Sequence, residues 1–185
     1  MPLPKPDFEA VAQTQLAAVH SEPETATDAL TQPLFAPETR GETRIGDSGL
    51  PVPRFVSLKS GEVYLREGPS PEHKVQWVYV RRGLPVEVIA EYDVWRRIRD
   101  SDGTTGWVHK GMLDGRRSVV MTAGDNVPLR EGPAPDAAVI AYAEAGVIAS
   151  LKACGGEFCE IETKSIDAYV PRQRIWGVYG DETVE

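Results

Sequence analysis

The sequence predicts an all-β protein: two small barrels in tandem behind a mostly disordered, Pro-rich acidic tail. Three observations carry that prediction. From residue 54 onward the chain is a series of short β-branched and aromatic runs cut by Gly, Pro and Asp turn signals. No apolar helical period is sustained for more than about three turns. A nine-residue string near the start of the first barrel also returns in the second. The expected boundaries are a tail over 1–50, one barrel over 51–118 and another over 122–180. At 185 residues, with 17 Gly and 15 Pro, the chain suits two small domains better than one large one.

The tail comes first. Residues 1–53 hold eight prolines among acidic, Thr and Ala residues, too little apolar area to offset chain entropy, so most of this segment is expected to be disordered or extended. Phe8, Val11, Ala12, Leu16 and Val19 share one helical face that suits an assembly partner, although an isolated helix this short is marginal in water. Charge is uneven: −5 over 1–50, +3 over 51–121 and −6 over 122–185, summing to −8. The mildly basic middle suits an acidic partner or the tail itself, and falls well short of a nucleic-acid footprint. No apolar run is long enough to span a membrane, and no export signal is legible within the chain.

The first barrel follows. Strands are expected at 54–57, 62–65, 75–81, 85–91, 95–100 and 105–109. Gly68-Pro69-Ser70-Pro71, Arg82-Gly83, Asp93 and Asp102-Gly103 separate them, the last being a strong hairpin signal. Leu65, Val86, Val88, Ile98 and Val108 alternate with polar neighbours and are expected inside. Gly106 predicts a bulge or a close backbone approach.

The repeat then becomes visible. VYLREGPSP at 63–71 returns as VPLREGPAP at 127–135, differing only at Tyr64/Pro128 and Ser70/Ala134. Trp95 is echoed by Phe158, Ile98 by Ile161, Trp107-Val108 by Tyr169-Val170, and Tyr79 by Tyr142. The string V-x-L-R-x-G-P at 63–69 and W-x-x-I-R…D-G-x-x-G-W-V-H at 95–109 closely resemble the bacterial SH3 domain. The resemblance covers about two thirds of the chain and implies a pair of small barrels, usually exported and usually non-catalytic, that bind cell-wall peptides or protein partners. Tyr64 stands where many relatives carry Asn, and Pro128 removes a ladder donor in the second copy.

The candidate ligand groove consists of Tyr64, Tyr79, Trp95, Trp77 and Arg66. Tyr and Trp favour half-wet sites, where the ring packs and a polar edge stays available. Trp95 is expected to be half exposed and Trp107 to be core. Arg66 and Arg130 follow inward leucines and so point outward, where an acidic side chain rather than a ligand is the expected partner. The Tyr79/Tyr142 match equally suits packing between the barrels. The first barrel is expected to carry the better groove and the second to be structural.

Cys154 and Cys159 flank Gly155-Gly156-Glu157-Phe158, which reads as a hairpin loop that sets them opposite each other, and a disulfide is expected. Metal binding finds no CxxC or nearby His, and CxxC redox chemistry has no βαβ context. A disulfide implies an oxidising compartment. No metal site, cofactor or catalytic set is expected. His20, His73 and His109 have no spaced partners, no phosphate-binding loop is present, and Asp100/Asp102 serve a turn. The expected function is a non-catalytic binding module of the bacterial envelope, periplasmic or exported, recognising a cell-wall peptide or an envelope protein. The alternatives are a structural or regulatory subunit of a larger assembly and a cytoplasmic location.

Overall fold

The computed structural model describes residues 40–122 and 124–185. The expected tail helix and His20 lie outside the described residues. A short ribbon, β1 (Arg44–Ile45) with β2 (Pro51–Val52), leads into the first domain. That domain contains β3 (Arg54–Leu58), β4 (Val63–Arg66), β5 (Val75–Tyr79), β6 (Pro85–Tyr92), β7 (Trp95–Arg99), β8 (Thr105–His109), a 3-10 turn (Lys110–Met112) and β9 (Leu113–Asp114). The second contains β10 (Ser118–Met121), β11 (Val127–Arg130), β12 (Val139–Ala143), β13 (Ile148–Cys154), β14 (Phe158–Glu162), β15 (Asp167–Pro171), a 3-10 turn (Arg172–Arg174) and β16 (Ile175–Trp176).

Each domain is one seven-stranded antiparallel sheet, and the two have the same order: β5-β4-β8-β7-β6-β3-β9 and β12-β11-β15-β14-β13-β10-β16. Each sheet curls around its own core. Val56, Leu58, Val63, Leu65, Tyr79, Val86, Val88, Ile98 and Val108 enclose the first, so every strand from β3 to β8 contributes. The five residues expected inside have no exposed surface. The Asp102-Gly103 turn forms as expected, with Gly103 at φ +83° and Asp100 Oδ1 accepting from the amides of Asp102 (3.1 Å) and Thr104 (2.8 Å). Gly106 marks a close approach: an added Cβ would lie 2.6 Å from Leu65 Cγ and 2.9 Å from the Arg66 carbonyl. The bulges lie elsewhere, at Leu65/Arg66 and at Val88/Ala90.

Corresponding strand pairs of the two barrels share one register. Glu91 faces Arg96 in β6–β7, and Cys154 faces Cys159 at the same place in β13–β14. Barrel one closes that end with an ion pair, Arg96 Nε to Glu91 Oε1 at 3.2 Å. Barrel two closes it with the expected disulfide, across a Cα–Cα distance of 4.2 Å. Cys154 also holds the C-terminal segment, its amide donating to the Val184 carbonyl (2.8 Å) and the Val184 amide donating back (2.9 Å). Replacing both cysteines with serine is therefore expected to cost about 2 kcal/mol, the chain-entropy value for so short a loop. Urea denaturation would measure it, and hydrogen exchange at Val184 should accelerate.

Contacts of the first barrel include residues before 51: Ser48, in the β1–β2 turn, gives its amide (2.7 Å) and hydroxyl (2.8 Å) to Glu91. The barrels meet through a third apolar cluster, Phe55, Val120, Trp176 and Tyr179, with Ile148 against it. The Phe55 ring lies 4.9 Å from Trp176, edge-on, and 4.6 Å from Tyr179. Polar ties surround it. Tyr179 donates to Glu87 (2.8 Å), which also receives Arg99 (2.7 Å), and Ser57 Oγ shares a hydrogen bond with Ser118 Oγ (2.6 Å). Gly177 has φ +123°, and a Cβ there would sit 2.5 Å from the Ser118 carbonyl, so the closeness of this junction requires glycine.

Candidate functional site

The site is built on β5, the edge strand of the first sheet. Alternation puts Trp77 and Tyr79 on one face, opposite Leu65 and Val63 of β4, and puts Val78 opposite Tyr64 on the other face. Tyr79 reaches into the core and is 6% exposed, its hydroxyl donating to Asp100 Oδ2 at 2.9 Å. Burial first, then this hydrogen bond and the charges of Asp100 and Asp102, push the Tyr79 phenol far above its ordinary range. Trp77, two residues earlier, overhangs the end of the core and is 58% exposed. Its ring lines a cavity of about 660 Å³ between the barrels, together with Tyr79, Asp100 and Asp102 of the first and Gln173 and Trp176 of the second.

The five predicted groove residues do not share one site; the fold brings together only Trp77 and Tyr79. Tyr64 lies on the outer face of β4, 47% exposed, and its hydroxyl donates to Glu62. That bond, followed by the Glu62 charge, raises its phenol. Trp95 is half-buried as expected, opposite His109 in the register, with the rings edge-to-face at 5.8 Å. Arg66 points outward but meets a backbone carbonyl rather than an acidic side chain: Nη1 donates to His73 O at 2.8 Å. Arg130 repeats the contact on Ala137 O at 2.7 Å. The arginine of the repeated string thus closes the loop that follows it.

Two further expectations change. Trp107 is half-buried on the outer face of β8, opposite Arg66 and Arg97, while its neighbours Gly106 and Val108 face inward. The counterpart of Tyr79 is Ala143, because Val63 pairs with Tyr79 as Val127 pairs with Ala143; Tyr142 pairs with Pro128 and corresponds to Val78. Barrel two therefore has Ala141 and Ala143 where barrel one has Trp77 and Tyr79.

Sequence reasoning missed Gln173, Trp176 and the facing role of Asp100 and Asp102. A usable signal existed where the copies differ. Val120 and Trp176 stand where barrel one has Ser57 and Asp114, a change from polar to apolar at two positions paired in the same way. Such a change on one copy marks a surface that the other barrel covers.

Among the described residues no three His, Cys, Asp or Glu side chains converge to hold a metal ion, and none of the helices is long and apolar enough to cross a membrane. A family model of the bacterial SH3 domain matches residues 59–115 and again residues 123–177, more than half of the chain. No curated protein matches it. Among solved structures it is similar to NlpC1 from Trichomonas vaginalis, at 10% identity over 79% of this chain and 50% of that one, TM-score 0.33. It is also similar to NlpC2 from the same organism, at 12% identity over 68% of this chain and 48% of that one, TM-score 0.31. The chain thus spans about half the length of both. It belongs to the bacterial SH3 domain family, as a tandem pair of the domain.

Proposed function

We propose that this chain is a non-catalytic binding module of the bacterial cell envelope that holds a cell-wall peptide in the cavity between its barrels. The observation that carries the reading is Trp77: a large ring, 58% exposed, set over a concave site whose walls come from two interlocked barrels. Concave sites with aromatic walls and a few convergent polar groups are the usual form of a ligand pocket, and a Trp covered on binding is the usual anchor. Family membership and the disulfide support an exported location, since disulfides persist in oxidising compartments.

Among the described residues the two cysteines and the Ser70–His73 pair are otherwise engaged, which supports a non-catalytic role. Both cysteines are in the disulfide and offer no thiolate. Ser70 Oγ and His73 Nδ1 share a 2.8 Å hydrogen bond, but Glu72 bonds Ser70 instead of orienting His73, so the contact clips an exposed loop. A second reading, an accessory subunit of a larger assembly, draws on Ile140 and Tyr142, exposed on the edge strand β12.

Sedimentation with purified cell-wall sacculi tests the proposal. The protein is expected to co-sediment, and Trp77→Ala to weaken binding at least about tenfold, as for loss of an aromatic anchor, with an unchanged melting temperature because the ring lies mostly outside the core. A protein that stays in the supernatant, or a Trp77→Ala variant that binds as the parent does, would overturn it.

A further inference from the structure

The cavity between the barrels carries chemical as well as geometric information. Its charged lining residues are Asp100, Asp102 and Arg81, two carboxylates against one guanidinium. Arg81 is tied to the opposite barrel, Nη2 donating to Gly146 O at 2.6 Å, and so pins the rim. Asp100 already accepts from the Asp102 and Thr104 amides and from the Tyr79 hydroxyl, which leaves it to act on a ligand mainly through its charge. Asp102 contributes its amide to the turn and keeps an exposed carboxylate.

The remaining walls fit the same chemistry. Trp77 presents an exposed indole, the ring that attracts a cation most strongly through its face. Met121 and Trp176 form an apolar floor suited to a methylene stem. Thr122 also lines the cavity, and among the described residues its buried Oγ1 has no hydrogen-bond partner. An anionic ligand would instead meet two carboxylates against one guanidinium that is already tied to Gly146.

Resting on the binding-module reading, we infer that the cavity is a recognition site for a free ammonium group carried by a short peptide, paired with Asp102, covered by Trp77 and lying along the apolar floor. Selection of such peptides is then by charge at one end and by the methylene stem behind it. Blocking the amine removes the charge while adding bulk, so an acylated amine is rejected twice.

The probe is acetyl-Lys-Ala-Ala-amide, whose one charge is the side-chain ammonium, compared with its Nε-acetyl form by titration calorimetry on the full chain. The free-amine peptide is expected to bind about tenfold more tightly, the factor set by one charge-assisted contact, and to weaken as salt is raised. Asp102→Ser, which keeps a turn-compatible residue before Gly103, should abolish the difference between the peptides, and Asp102→Glu should restore it. Equal affinity of the two peptides, failure of the free-amine peptide to bind, or a preference that survives Asp102→Ser would overturn the inference. The parent reading fails separately. A chain that sediments with sacculi through Trp77 but ignores the amine keeps its role as a wall-binding module and loses this specificity, whereas one that does not sediment loses that role itself.

Discussion

Replacing Phe55 with alanine is expected to cost about 3–5 kcal/mol, the usual range for a buried Phe-to-Ala change, and to divide one unfolding transition into two. Phe55 is 4% exposed, yet it lies outside the core of its own barrel and belongs to the cluster with Val120, Trp176 and Tyr179. Its ring contacts Trp176 edge-on and Tyr179 at a tilt, and the Arg117 guanidinium stands 5.8 Å from its centre. The lost packing therefore falls on the coupling between the barrels, and each core keeps its own contacts. Scanning calorimetry is the measurement: one transition for the parent, two for Phe55→Ala. A single transition shifted by the same amount would show that the barrels stay coupled through the remaining ties, among them Glu87–Tyr179, Ser57–Ser118 and Arg81–Gly146. Because the cavity has walls from both barrels, binding that depends on Trp77 should fall with the coupling.

Glu91→Ala should be comparably damaging, about 3–5 kcal/mol, because it removes the carboxylate from a buried charge cluster. The Glu91 side chain is 1% exposed and receives Ser48, Arg54 Nη2 at 2.8 Å and Arg96 Nε at 3.2 Å. Without it two largely buried guanidinium groups lose their counter-charge, and the β1–β2 ribbon loses the contacts that hold its turn. Burial by itself would raise the Glu91 pKa, but the Ser48 amide, Arg54, the Ser48 hydroxyl and Arg96 outweigh it and hold the carboxyl below its ordinary 4.5. Glu182 behaves alike: burial is outweighed by Arg117, the Tyr179 amide and Arg40. A carboxyl lowered by folding contributes stability that is complete above its unfolded pKa and is lost as pH falls through the folded value. The protein should therefore hold its stability down to about pH 4.5 and lose it progressively in stronger acid. Urea midpoints across that range should show a shallower acid decline for Glu91→Ala than for the parent. Identical slopes would assign the acid sensitivity to the other lowered carboxyls, Glu182, Asp114 and Glu72.

Local features of the fold are legible in the sequence. Period-two alternation placed Leu65, Val86, Val88, Ile98 and Val108 inside, and all five are fully buried. Asp102-Gly103 set its hairpin, and the paired glycines between Cys154 and Cys159 set the disulfide. Errors came where alternation names a face but not what covers it. Trp107 lies on the opposite face from Val108 and packs outside the core. Arg66 points outward as expected, but what it meets is a carbonyl seven residues along its own loop, a contact that depends on the loop's path. The Tyr79/Tyr142 pairing followed aromatic type, whereas the ladder register assigns Tyr79 to Ala143.

The sequence by itself determined two antiparallel barrels, their family and their staple, because turn chemistry and side-chain alternation act over a few residues and every strand repeats them. Only the tertiary structure decided which aromatics meet. Trp77 and Tyr79 face Trp176, almost a hundred residues away, because the barrels dock through Phe55, Val120 and Tyr179, positions at which two otherwise parallel copies differ. Docking depends on the complementarity of whole surfaces. No pattern within a single copy encodes which outward face will be covered; only the differences between the copies mark it, and the site appears only when both barrels are in place.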